Sequence, residues 1–387
     1  MIPRAAESLV LELLAGFPIV TVTGPRQSGK TTLARKVLAD RPYRSLEDPD
    51  VRERALDDPR GFLAQLPDGG VLDEVQRAPE LFSYLQTHVD NDGRMGLFML
   101  TGSQQFGLLS RISQSLAGRS AFLELLPLSQ RELDVGGLSP GDLNHRILTG
   151  GYPALFDRPV TPRRWFPAYV TAYVERDVRQ LLKVLDLDAF QRFVRLCAGR
   201  SGQLLNLSSL ANDCGITHNT AKAWISVLEA SYLVFLLQPH HANFNKRLVK
   251  SPKLYFFDTG LLCWLLGIQQ TEQLDVHPLR GAIFETFVIG ELRKAWVNGG
   301  ELPMFYFWRD SNGNEVDLLI ETGAKLLPVE IKSGQTVNRD YFRTLQRWTD
   351  MAGTMATDPT LIYAGDDEQM RRGVRVLGWQ QLERIGP

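Results

Sequence analysis

Apolar and polar positions change period along the chain, and the changes mark out its elements. Residues 17–23 (FPIVTVT) are a short, β-branched apolar run of strand length, and Leu33, Val37 and Leu38 then recur at helical spacing. Before them the amino terminus reads as an amphipathic helix, because Glu7 and Glu12 interrupt its apolar run; it does not read as a signal peptide. Two more apolar runs follow, residues 69–76 (GGVLDEVQ) and 97–100, the second leading into Thr101, Gly102 and Ser103. Within 205–237, Leu210 and Ala211 mark one helix, and Ala221, Trp224, Ile225 and Leu228 a second. A short turn at 214–217 separates them, with Asn206 or Ser208 and Thr217 as caps. Residues 232–237 and 253–257 then read as strands joined by a basic loop at 240–250, so this stretch predicts a helix-turn-helix with a β-hairpin wing. The last third predicts a helix at 281–297, two strands around Asn312-Gly313 within 304–321, a strand at 325–332, a helix at 339–351 and a strand at 360–364.

Chemistry enters at the first strand-to-helix junction. Residues 24–32 read GPRQSGKTT, a match to G-x-x-x-x-G-K-[ST]. Gly24 and Gly29 allow a loop whose backbone N–H groups converge on phosphate, Lys30 reaches β and γ oxygens, and Thr31 offers a hydroxyl to Mg²⁺. Gly24, Pro25, Arg26, Gln27, Ser28, Gly29, Lys30, Thr31 and Thr32 are therefore the candidate ATP-binding residues. Such a loop needs a second carboxylate strand, and Asp73 and Glu74 supply the metal-side acid and the general base. Ser103 is the candidate γ-phosphate sensor, with Thr101 in reserve; the competing reading is an ordinary strand-end turn.

A second constellation lies in the last third, whose order of helix, three strands, helix and strand resembles the restriction-endonuclease-like fold. Glu330 and Lys332 are two apart on one strand and share a face, and Asp317 on the adjacent strand can converge with them. Asp317, Glu330 and the Ile331 carbonyl are candidate ligands of a second Mg²⁺ or Mn²⁺; Glu285 would complete the acidic shell and Lys332 would position or deprotonate water. Glu315 shares the Asp317 face and adds a ligand or only charge. The alternative is a nuclease-like fold that has lost cleavage and survives as a binding module.

Composition bounds these readings. The 387 residues are 44% apolar, enough for two or three packed domains, and the net charge of −1 supplies no global attraction to nucleic acid. Local basic segments remain: Arg158, Arg163, Arg164, Arg176, Arg179, Lys183, Arg192, Arg195 and Arg200 in one, and Lys246, Arg247, Lys250 and Lys253 in another. On the second helix of the helix-turn-helix the DNA-facing positions would be His218, Asn219, Thr220, Lys222 and Ala223, of which only one is basic; docking to DNA and a purely structural role both stay open. Cys197, Cys214 and Cys263 lack zinc-site spacing and fit a reducing cytoplasm, and no uninterrupted apolar run is long enough to span a membrane.

GPRQSGKTTL, LDEVQ, LTGSQ, SLAGRS and LPLSQREL together resemble the ATPase module of AAA-type ATPases that carry a carboxy-terminal domain of unknown function, a widespread prokaryotic family. YVERDV, YFFDTGL, GAIFETFVIGEL and the EVD and EIK strings extend the likeness over nearly the whole chain. The resemblance implies an α/β protein with a nucleotide switch, an oligomer, and an arginine, often from a neighbouring subunit, that neutralises charge on the γ-phosphate. Arg119 and Arg176 are the candidates. The expected parts are an AAA-type P-loop core over 1–135, a helical lid over 136–202, a winged helix over 203–260 and a restriction-endonuclease-like domain over 275–387. The reading as a whole is an ATP-hydrolysing enzyme acting on DNA, with metal-dependent phosphodiester cleavage as a second activity; the alternative is a nucleotide-switched DNA- or protein-binding regulator.

Overall fold

In a computed structural model that describes residues 2–103, 115–174, 186–240 and 249–386, the amino-terminal third is built on a parallel sheet. Helix α1 (Glu7–Gly16) leads into β1 (Ile19–Thr23), and α2 (Lys30–Val37) follows the glycine-rich loop. Next come β2 (Tyr43–Ser45), β3 (Gly70–Asp73), α3 (Leu81–Asp92), β4 (Phe98–Gly102) and β5 (Ser120–Glu124). The strand order is β2-β3-β4-β1-β5, with every pairing parallel. β1 is buried along its whole length, as its β-branched run requires of a strand covered on both faces. Val20, Val22, Met99 and Leu123 pack toward α1 and α2, while Ile19, Leu72 and Leu100 pack with Phe82 and Leu85 of α3. Placing β1 in the interior sets the loop after it beside the carboxyl ends of its neighbours, where open α/β sheets bind ligands.

Past β5, Ser129 and Glu132 form a reciprocal capping box on α4 (Gln130–Val135), and α5 (Leu143–Thr149) begins at the Asp142 cap. Helices α6 (Leu187–Ala198), α7 (Leu207–Cys214) and α8 (His218–Ala230) follow. Asn206 caps α7 by accepting from Ser209 N–H, Thr217 caps α8 by accepting from Thr220 N–H, and Gly215 takes the left-handed turn between them at φ 70°. His218, Asn219 and Lys222 are exposed on α8. Arg176 and most of the basic 240–250 loop lie outside the described residues.

The hairpin of β7 (Val234–Pro239) and β8 (Lys253–Phe256) departs from the expected free wing. β7 pairs in parallel with β9 (Phe305–Arg309) through Gln238 and Tyr306 and through Pro239 and Phe307. β10 (Glu315–Thr322), β11 (Lys325–Lys332), β12 (Thr360–Tyr363), β13 (Gln369–Arg371) and β14 (Val374–Gly378) continue the same sheet, with β6 (Gln203–Leu204) at the far edge. Its order is β13-β14-β12-β11-β10-β9-β7-β8-β6, so the segments at 203–260 and 275–387 share one nine-stranded sheet. Asp310 folds the turn between β9 and β10 by accepting from the N–H groups of Asn312 and Asn314, and Gly313 takes φ 83°. Helix α9 (Arg280–Asn298) and helix α10 (Tyr341–Ala352) cover the sheet.

A buried ionic cluster ties α9 to the amino-terminal third. Glu291 accepts from Arg146 Nη2 at 3.2 Å, from Lys294 Nζ at 2.8 Å and from the Gln130 backbone N–H at 2.6 Å. Arg146 and Lys294 also donate to the Leu128 carbonyl, at 3.3 and 3.1 Å. Nearby, the Tyr232 hydroxyl at the entry to β7 donates to Thr23 Oγ1, the last side chain of β1, at 2.9 Å.

Candidate functional site

The glycine-rich loop owes its shape to three positions with positive φ, Gly24 at 142°, Gln27 at 60° and Gly29 at 97°. A Cβ on Gly24 would lie 2.2 Å from the Leu125 carbonyl oxygen, so the strand after it can pass this close only to glycine. Gly24→Ala is expected to distort the loop and weaken binding of a fluorescent ATP analogue at least tenfold, with the circular dichroism of the fold retained. Lys30 is buried, and its ammonium donates to the Gly24 and Pro25 carbonyls at 2.9 and 2.7 Å. From outside, Arg4 holds the loop by donating to the Ser28 carbonyl at 2.5 Å while its Nε pairs with Glu132 at 2.8 Å. The Ser28 hydroxyl is buried with no hydrogen-bond partner, an orphaned donor inside a loop of the kind that cradles phosphate. Thr32 is exposed, which leaves its backbone N–H as its contribution.

Strands β3 and β4 bring the acids to this loop. Asp73 Oδ1 accepts from Thr31 Oγ1 at 2.9 Å and from Thr101 Oγ1, and Oδ2 accepts from the Tyr43 hydroxyl at 2.8 Å. Burial and then the bond to Asp73 push the Tyr43 phenol up to about 12, so it stays a donor. Glu74 sits one residue beyond β3 in the left-handed region, at φ 56°, which turns its carboxylate away from that of Asp73. Its Oε2 accepts from Gln76 Nε2 at 2.5 Å and from Ser103 Oγ at 3.3 Å. The two hydroxyls at the tip of β4 thus separate: Thr101 holds Asp73 and Ser103 holds Glu74. Thr31 and Asp73 form an all-oxygen pair that fits Mg²⁺. Tyr43, Gln76 and Arg4 were missed in the sequence; Tyr43 and Arg4 reach the site across the fold and leave no local mark, whereas Gln76 lies two residues after Glu74, and that spacing was the available signal.

Arg119 does not join this group. It precedes β5 at the end of the sheet opposite the loop, where its carbonyl accepts from Ile19 N–H, and its guanidinium makes a bidentate pair with Asp90 of α3 at 2.5 and 2.8 Å. The expectation that it serves a nucleotide is therefore corrected for its own chain's loop.

In the carboxy-terminal sheet Lys332 Nζ lies 2.6 Å from Glu330 Oε1 and 3.3 Å from Asp317 Oδ2, so those three side chains converge. The Ile331 backbone presents its N–H, not its carbonyl, to Asp317, at 2.8 Å. Glu285 faces the same region but has its own partners: its Oε1 accepts from Tyr255 OH at 2.5 Å and from Lys253 Nζ at 3.0 Å. Lys253 also pairs with Glu315, which Arg309 meets at 3.1 Å. Lys253 was expected in a surface basic patch; it is only 2% exposed. Burial opposes charge on Lys253 and Lys332, but the surrounding carboxylates outweigh it and raise both amines above their usual range. Burial, against the pull of Lys253, pushes Glu285 up to about 7; burial and then Asp317 push Glu330 up to about 8. Among the described residues no three His, Cys, Asp or Glu side chains gather to hold a metal ion. The expected shell of Glu285, Asp317 and Glu330 is thus corrected: the donors are occupied by lysines and do not fit a divalent cation as arranged.

A parallel sheet ordered β2-β3-β4-β1-β5 with a phosphate loop on β1, together with a match of residues 16–134 to the AAA domain family, defines an AAA-type P-loop ATPase module. Residues 140–272 and 280–382 match two families, each described as a domain of unknown function (DUF8612 and DUF4143). The uncharacterized proteins Rv2008c of Mycobacterium tuberculosis and Mb2031c of Mycobacterium bovis are each 34% identical over 336 residues, covering 86% of this chain and 74% of theirs, and the chain belongs to their family. Among solved structures, the Walker-type ATPase PABY2304 of Pyrococcus abyssi matches at 15% identity and a TM-score of 0.47, over 68% of this chain and 96% of that one. No helix among the described residues is long and apolar enough to cross a membrane.

Proposed function

We propose that the chain binds and hydrolyses ATP and uses the cycle to act on DNA through α8 and the carboxy-terminal sheet. The observation that carries the hydrolysis is the separation of Asp73 and Glu74: one carboxylate is tied to Thr31, the other is turned toward Ser103 and Gln76. Lys30 exchanges its two loop carbonyls for the β and γ oxygens of the substrate, and the loop N–H groups bind the remaining phosphate oxygens. Thr31 and Asp73 would hold Mg²⁺, whose charge would offset that developing on the transferring phosphoryl group. Glu74 orients a water in line with the γ-phosphate and takes its proton, while Gln76 and Ser103 fix the carboxylate's direction.

The DNA half of the proposal is supported by the capped pair α7 and α8, with His218, Asn219 and Lys222 exposed at the start of the second helix. A homo-oligomer would let an arginine from one copy, Arg119 among the described residues, approach the loop of the next. A second reading, a nucleotide-switched regulator whose nuclease-like domain binds without cutting, is favoured by the lysines seated among the carboxylates. The test is ATP turnover in Mg²⁺, alone and with single-stranded, duplex or branched DNA, with strand cleavage followed in the same tubes. DNA-stimulated turnover is the expected result; no turnover under any condition sinks the proposal, and turnover indifferent to DNA transfers it to a protein client.

A further inference from the structure

Four carboxylates from three elements face one region of the carboxy-terminal sheet: Glu285 on α9, Glu315 and Asp317 on β10, and Glu330 on β11. Lys332 belongs to the strand of Glu330 and accounts for Glu330 and Asp317. Lys253 is the foreign member. It arrives from β8, in the hairpin below the helix-turn-helix, and packs 5.5 Å over the Phe307 ring with its ammonium between Glu285 and Glu315. Tyr255, two residues along β8 and so on the same face, donates to the same Glu285 oxygen.

A structural salt bridge does not explain this arrangement fully. Burying an ammonium among carboxylates costs desolvation energy roughly equal to what the pairing returns, and an apolar side chain would fill the space at lower cost. The cluster is also incomplete: Glu330 is 6% exposed, yet its Oε2 has no hydrogen-bond partner. A buried carboxylate oxygen left unpaired is unfavourable, and here it lies among further acids. A hard divalent cation would take such oxygens where no ammonium already neutralises them. Glu285 Oε1 already receives two.

We propose that Lys253 is a tethered counter-cation that takes the place of a divalent metal ion beside Glu285 and Asp317, and so holds the carboxy-terminal site, Glu330 included, closed to metal. The inference rests on reading that site as one of nuclease type. Its chemistry is exchange of one cation for another: withdrawing the Lys253 ammonium leaves Glu285 with the Tyr255 hydroxyl as donor, and Mg²⁺ or Mn²⁺ in its place would also take the Glu330 oxygen that Lys332 does not hold.

The experiment is Mn²⁺ binding to nucleotide-free full-length protein, read by the electron paramagnetic resonance of free Mn²⁺. Wild type and Lys253→Met are each compared with and without Glu330→Gln, so that only binding dependent on Glu330 is scored. Lys253→Met is expected to gain one such site, at least tenfold tighter than in wild type. Lys253→Gln, which keeps a hydrogen-bond donor for Glu285, replaces it if the methionine variant does not fold. Equal Glu330-dependent binding in wild type and variant overturns the role of Lys253 and leaves the metal-site reading standing. Absence of such binding in every folded variant overturns both.

Discussion

Glu74→Gln is expected to bind ATP with nearly wild-type affinity and to hydrolyse it about 10²–10⁴-fold more slowly, the usual contribution of a positioned general base. The expectation follows from where each acid points. Asp73 is bound to Thr31, Thr101 and Tyr43 and has no oxygen free of donors, whereas Glu74 is turned out of the strand by a left-handed residue. Glutamine keeps the size of the side chain and can still meet Ser103 or Gln76, so the loop and its affinity survive while the proton acceptor is gone. Lys30→Ala supplies the contrast, since removing the buried ammonium takes away the contact to the β and γ oxygens and should abolish tight binding with turnover. Radiolabelled ATP binding beside a phosphate-release assay separates the two variants. Unchanged turnover in Glu74→Gln would assign the proton to another group.

The largest effect on stability is expected at Glu291, which belongs to neither constellation although it shares α9 with Glu285. Glu291→Ala leaves Arg146 and Lys294 buried without the carboxylate that pairs with both, and removing one partner of a buried pair costs about 3–5 kcal/mol. It also strips the Gln130 N–H at the start of α4 of its acceptor. The lost energy should appear as a large fall in the urea midpoint, together with loosening between the P-loop core and α9. Burial alone would raise the Glu291 carboxyl, but Lys294 and Arg146 outweigh it and hold it below the usual glutamate range. A depressed carboxyl contributes its stability fully above the ordinary glutamate value, about 4.3, and loses it as pH falls through the lower native value. The gap between wild type and Glu291→Gln should therefore be constant from pH 6 to 8 and narrow below pH 4. A gap independent of pH would mean that packing, not charge, sets the cost.

What was legible in the sequence was local. The loop at 24–32, the Asp73-Glu74 pair and the tip of β4 each lie within a few residues, so their chemistry can be read from adjacent letters, and period alone located most strands and helices of the last third. Partners that arrive across the fold leave no such trace. Tyr43 on Asp73, Tyr232 on Thr23 and Lys253 on Glu285 are separated by 30, 209 and 32 residues. Lys253 was misassigned because it follows Lys250 in a run of basic letters, and charge along a sequence does not reveal which residue alternation turns inward. The junction of β7 with β9 was equally hidden, since two residue pairs hold a parallel contact whose strands lie some 70 positions apart.

That junction bears on how the chain can be inherited and dissected. The two matched segments of unknown function meet between residues 272 and 280, yet the hydrogen bonds of β7 and β9 run across that division. A recombination event or an expression fragment beginning near residue 275 would carry β9 away with one side bare, and a bare strand edge invites pairing with other chains. Helix-turn-helix, hairpin and carboxy-terminal strands should therefore pass from ancestor to descendant as a single heritable block, and a half of it made alone should be recovered as aggregate.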